Sequence, residues 1–345
     1  MTSEQRIALI GYGEVGEVLA NDLHQVERVD LCAWDRLFPV EGSEPQRAVR
    51  THTFVEAAHS MAKAVQGRPL VICAVTAGEC AAAAAEAAAA LTPGTFYLDL
   101  NSASPRTRMQ AAQTIETACG RYVEAAVMSP IEPRRIASPM WLGGPHARDF
   151  LPLARSLGFT GAAVYADSIG AASAAKMCRS VIVKGMEALL TESLLTARRH
   201  GVEDAVLASL EDLFPVGDWP KLARYMISRS VQHGRRRADE MREAARTVAE
   251  AGLEPWMSRG CVERQQWSAG HADALRHRAL TDVLDRMLAP TSTRAPPSMA
   301  VAVPTPATAA RQPPRTTAGT PAAQPSPRGR ARSAAARRQP KAVRR

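Results

Sequence analysis

At 345 residues with 46% hydrophobic content, the chain is long enough for two domains with substantial cores. Its longest alanine-rich stretch, residues 80–94, carries Glu86 and stops at Pro93-Gly94, too short and too weakly apolar to cross a bilayer; the N-terminus lacks the basic start and long apolar core of an export signal. The formal net charge of +9 is concentrated at one end, because Thr291–Arg345 holds eleven Lys and Arg and no acid, which leaves the rest of the chain close to neutral.

The apolar run Ile7–Ile10 breaks at three glycines before a helical spacing of Val15, Val18, Leu19 and Leu23 begins. A buried strand therefore turns sharply into a helix, with Gly11, Gly13 and Gly16 at the turn. In a G-x-G-x-x-G spacing the first glycine permits the tight turn, the second lets the backbone approach a diphosphate, and the third allows close helix packing. The free N–H groups of the helix start then face an anion, and Tyr12, Glu14 and Val15 join the glycines as candidate cofactor-binding residues. Plain loops share such turns, so the spacing alone does not decide. Strand-like runs follow at 29–34, 70–75, 95–100 and 122–127, alternating with helical patterns, and 139–144 and 162–166 supply further strands. The alternation predicts an α/β Rossmann-type domain over 1–166 with a mostly parallel, doubly wound sheet.

Beyond Asp167 the strand-like runs disappear, and an all-α domain is predicted over 167–289. Its first helix starts near Ser168, a good N-cap, and runs to Gly201, a good C-terminal stop; others are expected at 202–214, 219–230, 236–252 and 272–288. The tail, 290–345, holds eleven of the 24 prolines among Ala, Thr, Ser and Gln and is expected to be disordered. It suits a solubilising extension, or salt-sensitive contacts with nucleic acid or an acidic partner, although it has no interleaved aromatics to stack on bases. The six cysteines are scattered, with no C-x-x-C and no nearby histidine, which predicts reduced core thiols in a cytoplasmic protein without a metal site.

Asp35 follows the second strand 24 positions after Gly11. A dinucleotide-binding domain places a carboxylate there to accept bonds from the adenosine ribose hydroxyls, which favours NAD. Arg36 comes next and could meet the 2′-phosphate of NADP, while Asp35 also suits the start of a loop.

Over residues 5–200 the chain resembles the β-hydroxyacid dehydrogenases related to 3-hydroxyisobutyrate and 6-phosphogluconate dehydrogenases. CAVTAGEC at 73–80 stands where the family chain passes the cofactor, which implies contacts from Val75 and Thr76. DLNSASP at 99–105 is similar to the D-x-[SN]-[ST]-x-x-P segment near the nicotinamide, which implies Asn101 and Ser102. YVEAAVMSP at 122–130 resembles the D-A-P-V-S-G-G segment that grips the substrate carboxylate, with Glu124 in place of the aspartate and Ser129 matching the serine. GAASAAKMCRS at 170–180 resembles the helix G-x-x-x-x-x-K-x-x-x-N, with Lys176 at the catalytic lysine and Ser180 replacing asparagine. VQHGRRRADEM at 231–241 resembles a helical C-terminal domain found in one branch of the family, and His233 or one of its arginines could reach an anionic substrate. Spacing alone favours a solvated face there, since Arg236 and Arg237 precede Glu240 by four and three residues. The resemblance also implies a homodimer.

Hydride transfer from a secondary alcohol needs a group that removes the hydroxyl proton and returns it in reverse. A free lysine, at about 10.4, is too basic, but burial among the small residues that precede Lys176 lowers it toward neutrality. The sequence thus points to an NAD(P)-dependent dehydrogenase of a small hydroxy acid or sugar acid, with Ser129 and Ser180 positioning substrate. Ser180, Pro130 and Ile131 depart from the family pattern and leave the substrate open. An imine reductase of similar architecture is a competing reading, against which Lys176 counts because those relatives generally lack it. A non-catalytic nucleotide sensor is another; it would keep the glycine turn and tolerate loss of the lysine.

Overall fold

The computed structural model describes residues 5–289 apart from 212, 213 and 216; the basic segment 290–345, expected to be disordered, lies outside the described residues. The first half runs β1 (Gln5–Ile10), α1 (Glu14–Leu23), β2 (Val29–Trp34), α2 (Glu44–Thr51), β3 (Val55–Ala57), α3 (Met61–Val65) and β4 (Leu70–Cys73). It continues with α4 (Cys80–Ala88), β5 (Phe96–Asp99), α5 (Pro105–Thr117), β6 (Arg121–Val127), β7 (Met140–Gly143), α6 (Ala147–Ser156) and β8 (Ala162–Ala166). These strands form one sheet in the order β3-β2-β1-β4-β5-β6-β7-β8. It is parallel from β3 to β6; β7 runs antiparallel to β6, and β8 parallel to β7.

Ile7 and Leu9 join an apolar cluster on one face of the sheet, and Ala8 and Ile10 join another on the opposite face. A strand buried on both faces reads as an unbroken apolar run, which is why β1 is plain in the sequence. Strand β3 escapes the pattern because only Val55 of its three residues is buried. Register then places the chemistry. Ile10 pairs with Trp34 on β2 and with Cys73 on β4, and Cys73 pairs with Asp99 on β5. The residues that follow, Gly11, Asp35, Ala74 and Leu100, emerge side by side at the C-terminal edge, where the strand order reverses and a doubly wound sheet opens its crevice.

The second half is helical: α7 (Ala171–His200), α8 (Glu203–Leu210), α9 (Trp219–Glu250), α10 (Trp256–Ser268) and α11 (Leu280–Leu288). Helix α7 begins beyond Ser168, which is not its cap; Gly170 takes that place at φ +101°, and α7 ends at Gly201, φ +68°. Helix α9 is continuous where the sequence predicts two helices. Gly234, in the expected gap, is a point of close approach: a Cβ there would collide with the carbonyl oxygen of Gln265 on α10. Helix α10 lacks an apolar stripe to reveal it, since Trp256 and Met257 are exposed while Cys261 and Val262 are buried.

Sheet and helices pack into one compact unit. Helix α9 is fastened to the start of α5, where the Glu243 carboxylate accepts from the Ser104 N–H at 2.8 Å and the Glu250 carboxylate from the Ser104 hydroxyl at 2.8 Å. Cys32, Cys73, Cys80 and Cys261 are buried, but Cys119 and Cys178 are exposed, so not all six are core thiols. Among the described residues no helix is long and apolar enough to cross a membrane.

Candidate functional site

The glycine turn joins β1 to α1 with each glycine doing a different job. Gly11 has φ +89°, and a Cβ on it would press on the carbonyl of Ala74. A Cβ on Gly16 would collide with the Gly11 carbonyl, so Gly16 serves the fold of the turn. A Cβ on Gly13 would meet nothing within 4 Å, because that position faces a cleft of about 700 Å³. A bare backbone at a helix start, open to a cleft at the switch point of the sheet, fits a dinucleotide diphosphate.

Around the cleft the structure sorts the candidate cofactor residues. Gly11, Gly13, Glu14, Val15, Asp35 and Arg36 line it, as do Val75, Thr76, Asn101 and Ser102. The side chain of Tyr12 does not; it is 1% exposed, its hydroxyl meets His52 Nδ1 at 2.9 Å, and its ring packs edge-on to Phe38. What Tyr12 offers is its N–H, donated to Asp35 Oδ2 at 2.7 Å, while the Leu37 N–H reaches Oδ1 at 2.8 Å. The Asp35 carboxylate is thereby fixed at the cleft. Arg36 is paired with Glu79 at 2.7 Å. Asn101 is 2% exposed; its Oδ1 accepts from the Val75 N–H at 2.7 Å, holding the segments after β4 and β5 together. Behind them, Asp99 and Arg108 are fully buried and paired at 2.9 Å, and the Tyr122 hydroxyl donates to Asp99 at 2.7 Å.

A second cavity of about 380 Å³ lies against α7 and α9 and holds Lys176, Ser180 and Ser129 in its lining. Glu14, Val15, Leu100, Ser102, Arg236 and Glu240 line both spaces, so the cavity adjoins the cleft along a shared wall. Burial brings Lys176 down from the usual lysine range to about 7; Glu240 opposes the shift, and Arg108, Lys184 and Arg236 add to it. Burial alone would raise the Glu240 carboxyl, but Lys184 and Arg236 outweigh it and hold the group down at about 2. Lys184 bridges the helices, 2.9 Å from Glu240 and 3.1 Å from the Ser180 hydroxyl. The Ser129 hydroxyl oxygen is buried with no hydrogen-bond partner.

Two candidate substrate residues lie outside the lining of this cavity. Glu124 is fully buried, and its two oxygens accept from the Gly170 and Ser173 N–H groups, each at 2.7 Å. It closes the start of α7 and so fixes where Lys176 sits, without lining the cavity. His233 does not line the cavity either; burial, reinforced by Arg229 and Arg236, lowers its imidazole to about 4 and keeps it neutral at ordinary pH. The solvated-face reading of 231–241 holds for Arg235 and Arg236, which are exposed, but not for Arg237, which is 8% exposed and paired with Glu187, nor for Glu240, which is paired with Lys184. Lys184, Arg229 and Glu240 are site residues absent from the sequence-derived set. Lys184 carried a readable signal, since it lies eight residues beyond Lys176 and four beyond Ser180 on one helix face.

Fold and cleft together define a nicotinamide dinucleotide-binding protein with a helical second half. Residues 6–147 match the NAD binding domain of 6-phosphogluconate dehydrogenase, and residues 197–268 match a domain of unknown function (DUF1932). A conserved hypothetical protein from Sinorhizobium meliloti has 33% sequence identity and a TM-score of 0.63, with 83% of this chain and 97% of that one covered. A conserved protein of unknown function, MTH1747, described as structurally similar to 3-hydroxyacid dehydrogenases, has 30% identity and a TM-score of 0.59 over 82% of this chain and 100% of its own. Mycobacterium tuberculosis 3-hydroxyisobutyrate dehydrogenase shares the fold at 18% identity and a TM-score of 0.61, with 83% and 100% covered. The chain belongs to the family that joins the 6-phosphogluconate dehydrogenase-type NAD binding domain to this helical domain, and its fold is that of the 3-hydroxyacid dehydrogenases.

Proposed function

We propose that the protein is an NAD(P)-dependent oxidoreductase of the β-hydroxyacid dehydrogenase type, with Lys176 as general acid/base. The observation that carries this reading is a lysine lowered to about 7 in a cavity that shares a wall with the glycine-turn cleft. A group with that pKa is poised to exchange a proton at neutral pH in either direction.

The bound coenzyme supplies the hydride acceptor or donor. Gly13 and the start of α1 would hold its diphosphate, Asp35 its adenosine ribose, and Ser102 the end of the cleft nearest the cavity. In oxidation, neutral Lys176 Nζ takes the proton of the substrate hydroxyl as the carbon loses hydride; in reduction the ammonium returns that proton to the carbonyl oxygen. The unpartnered Ser129 hydroxyl is free to bond a substrate carboxylate. Lys184 and Glu240 position the site by fixing the Ser180 hydroxyl and setting the field at Lys176.

For the coenzyme we favour NAD. The Asp35 carboxylate is fixed beside the cleft, and Glu44, Glu79 and Glu86 also line it, an environment that repels a 2′-phosphate; Arg36 is taken up by Glu79.

The test is a screen of purified protein against hydroxy acids and sugar acids with each coenzyme, following absorbance of the reduced form. The expected result is turnover with NAD preferred, reduced about 10²–10⁴-fold in Lys176→Ala while coenzyme binding persists. Undiminished turnover in Lys176→Ala would overturn the assignment.

A further inference from the structure

The charges lining the substrate cavity do not cancel. It presents the cations Lys176, Arg179, Lys184, Arg229, Arg236 and Arg237 against the carboxylates Glu14, Glu187 and Glu240. Each carboxylate is already engaged: Glu14 with Arg236 at 3.3 Å, Glu240 with Lys184 at 2.9 Å, and Glu187 with Arg237. Among the described residues this leaves Lys176, Arg179 and Arg229 without a carboxylate partner. Lys176 sheds its charge near neutral pH. A guanidinium does not, so two fixed positive charges face the cavity uncompensated.

Arg229 bears a second sign of an absent partner. Its Nε is buried and donates to nothing in the protein. A buried donor left unpaired is destabilising, a cost relieved when a ligand oxygen accepts from it. The Ser129 hydroxyl, on the same lining, is also buried and unpartnered. Arg229 and Glu240 are eleven residues apart on α9, about 16 Å along the helix axis at 1.5 Å per residue. Arg229 therefore belongs to the part of the α9 lining away from Glu240. One carboxylate cannot neutralise both arginines.

We propose that the cavity takes a dianionic substrate, with one anionic group held by Arg179, one turn from Lys176 on α7, and the second carboxylate or phosphoryl group bound by Arg229. The identity of the reacting end rests on the dehydrogenase reading above; the anion site does not.

The test is titration calorimetry on the full chain with its coenzyme, using propionate, glutarate and 3-phosphonopropionate as probes. Glutarate and the phosphonate distinguish a second carboxylate from a phosphoryl group. The expected result is that at least one dianion binds tenfold or more tighter than propionate, and that Arg229→Gln and Arg179→Gln each remove most of that advantage while coenzyme binding persists. Arg179 is exposed, so its variant reports even if the Arg229 variant folds poorly. Dianions that bind no tighter than propionate, or a preference that survives both substitutions, would overturn the proposal. If monocarboxylate hydroxy acids are turned over while dianions gain nothing, the anion site is wrong and the dehydrogenase reading stands. If dianions bind through the arginines but no hydroxy acid reacts, the anion site stands and the dehydrogenase reading is the one that fails.

Discussion

The Lys184 ammonium lies 2.9 Å from the Glu240 carboxylate, an ion pair that joins α7 to α9 beside Lys176. Glu240 is the group that raises Lys176, and Lys184 is among those that lower it. Removing either partner therefore moves Lys176 in opposite directions. In Glu240→Gln the titration midpoint of Lys176, followed by NMR of ¹⁵N-labelled lysine side chains, falls below 7. In Lys184→Gln the like charge is gone and Glu240 is released toward Lys176, so the midpoint rises above 7. Midpoints that stay put in both variants would show that the pair does not set the field at Lys176.

Lys176 is also a burden on the fold at low pH. Its folded pKa of about 7 lies below its ordinary value of 10.5, so the unfolded chain binds more protons between those limits. The penalty is complete below pH 7 and fades as pH rises toward 10.5. Lys176→Met should accordingly raise the melting temperature at pH 6, and the gain should shrink steadily from pH 7 to pH 10. A gain that does not vary with pH would point to packing as its source.

The glycines of the turn separate binding from folding. A Cβ at Gly13 projects into open space, so Gly13→Ala should leave thermal stability within about 0.5 kcal/mol of the parent and weaken coenzyme binding. A Cβ at Gly16 strikes the Gly11 carbonyl, so Gly16→Ala should lower stability first, by about 1–3 kcal/mol. Thermal melts combined with quenching of protein fluorescence by the coenzyme distinguish the two.

Glu124 accepts two backbone N–H bonds at the start of α7. Glutamine of the same shape keeps one acceptor and turns an NH₂ donor toward the other N–H. Urea unfolding of Glu124→Gln should show a loss of about 1–3 kcal/mol. A neutral result would mean that water replaces the lost acceptor.

How far the sequence carries these conclusions depends on how local each feature is. Strand β1 and its glycine turn are legible because burial on both faces and a sharp turn leave contiguous marks. Asp35, Val75 and Asn101 are legible as residues just after strand ends. Their convergence needs the register that levels Ile10 with Trp34 and Cys73. Glu124 was open to misreading, since a buried carboxylate in a segment resembling a substrate loop looks the same whether it holds substrate or a helix start. The partners of Lys184, Arg236 and Arg237 are set by the crossing of α7 and α9 and by the turn at Glu14, so positions along one helix point to surface pairing instead. Gly234 falls in the gap between two expected helices, and the contact that requires it, with Gln265, lies 31 residues downstream.

The central claim is that the Lys176 amine exchanges the substrate's hydroxyl proton. The most direct measurement is the pH dependence of hydride transfer, by stopped-flow absorbance of the reduced coenzyme, in the parent protein and in Lys176→Met. The account predicts an oxidation rate that climbs with pH and levels off above about 7, and that this limb disappears in the variant along with about 10²–10⁴-fold of the rate. A limb that persists unchanged in Lys176→Met, with the rate retained, would contradict it.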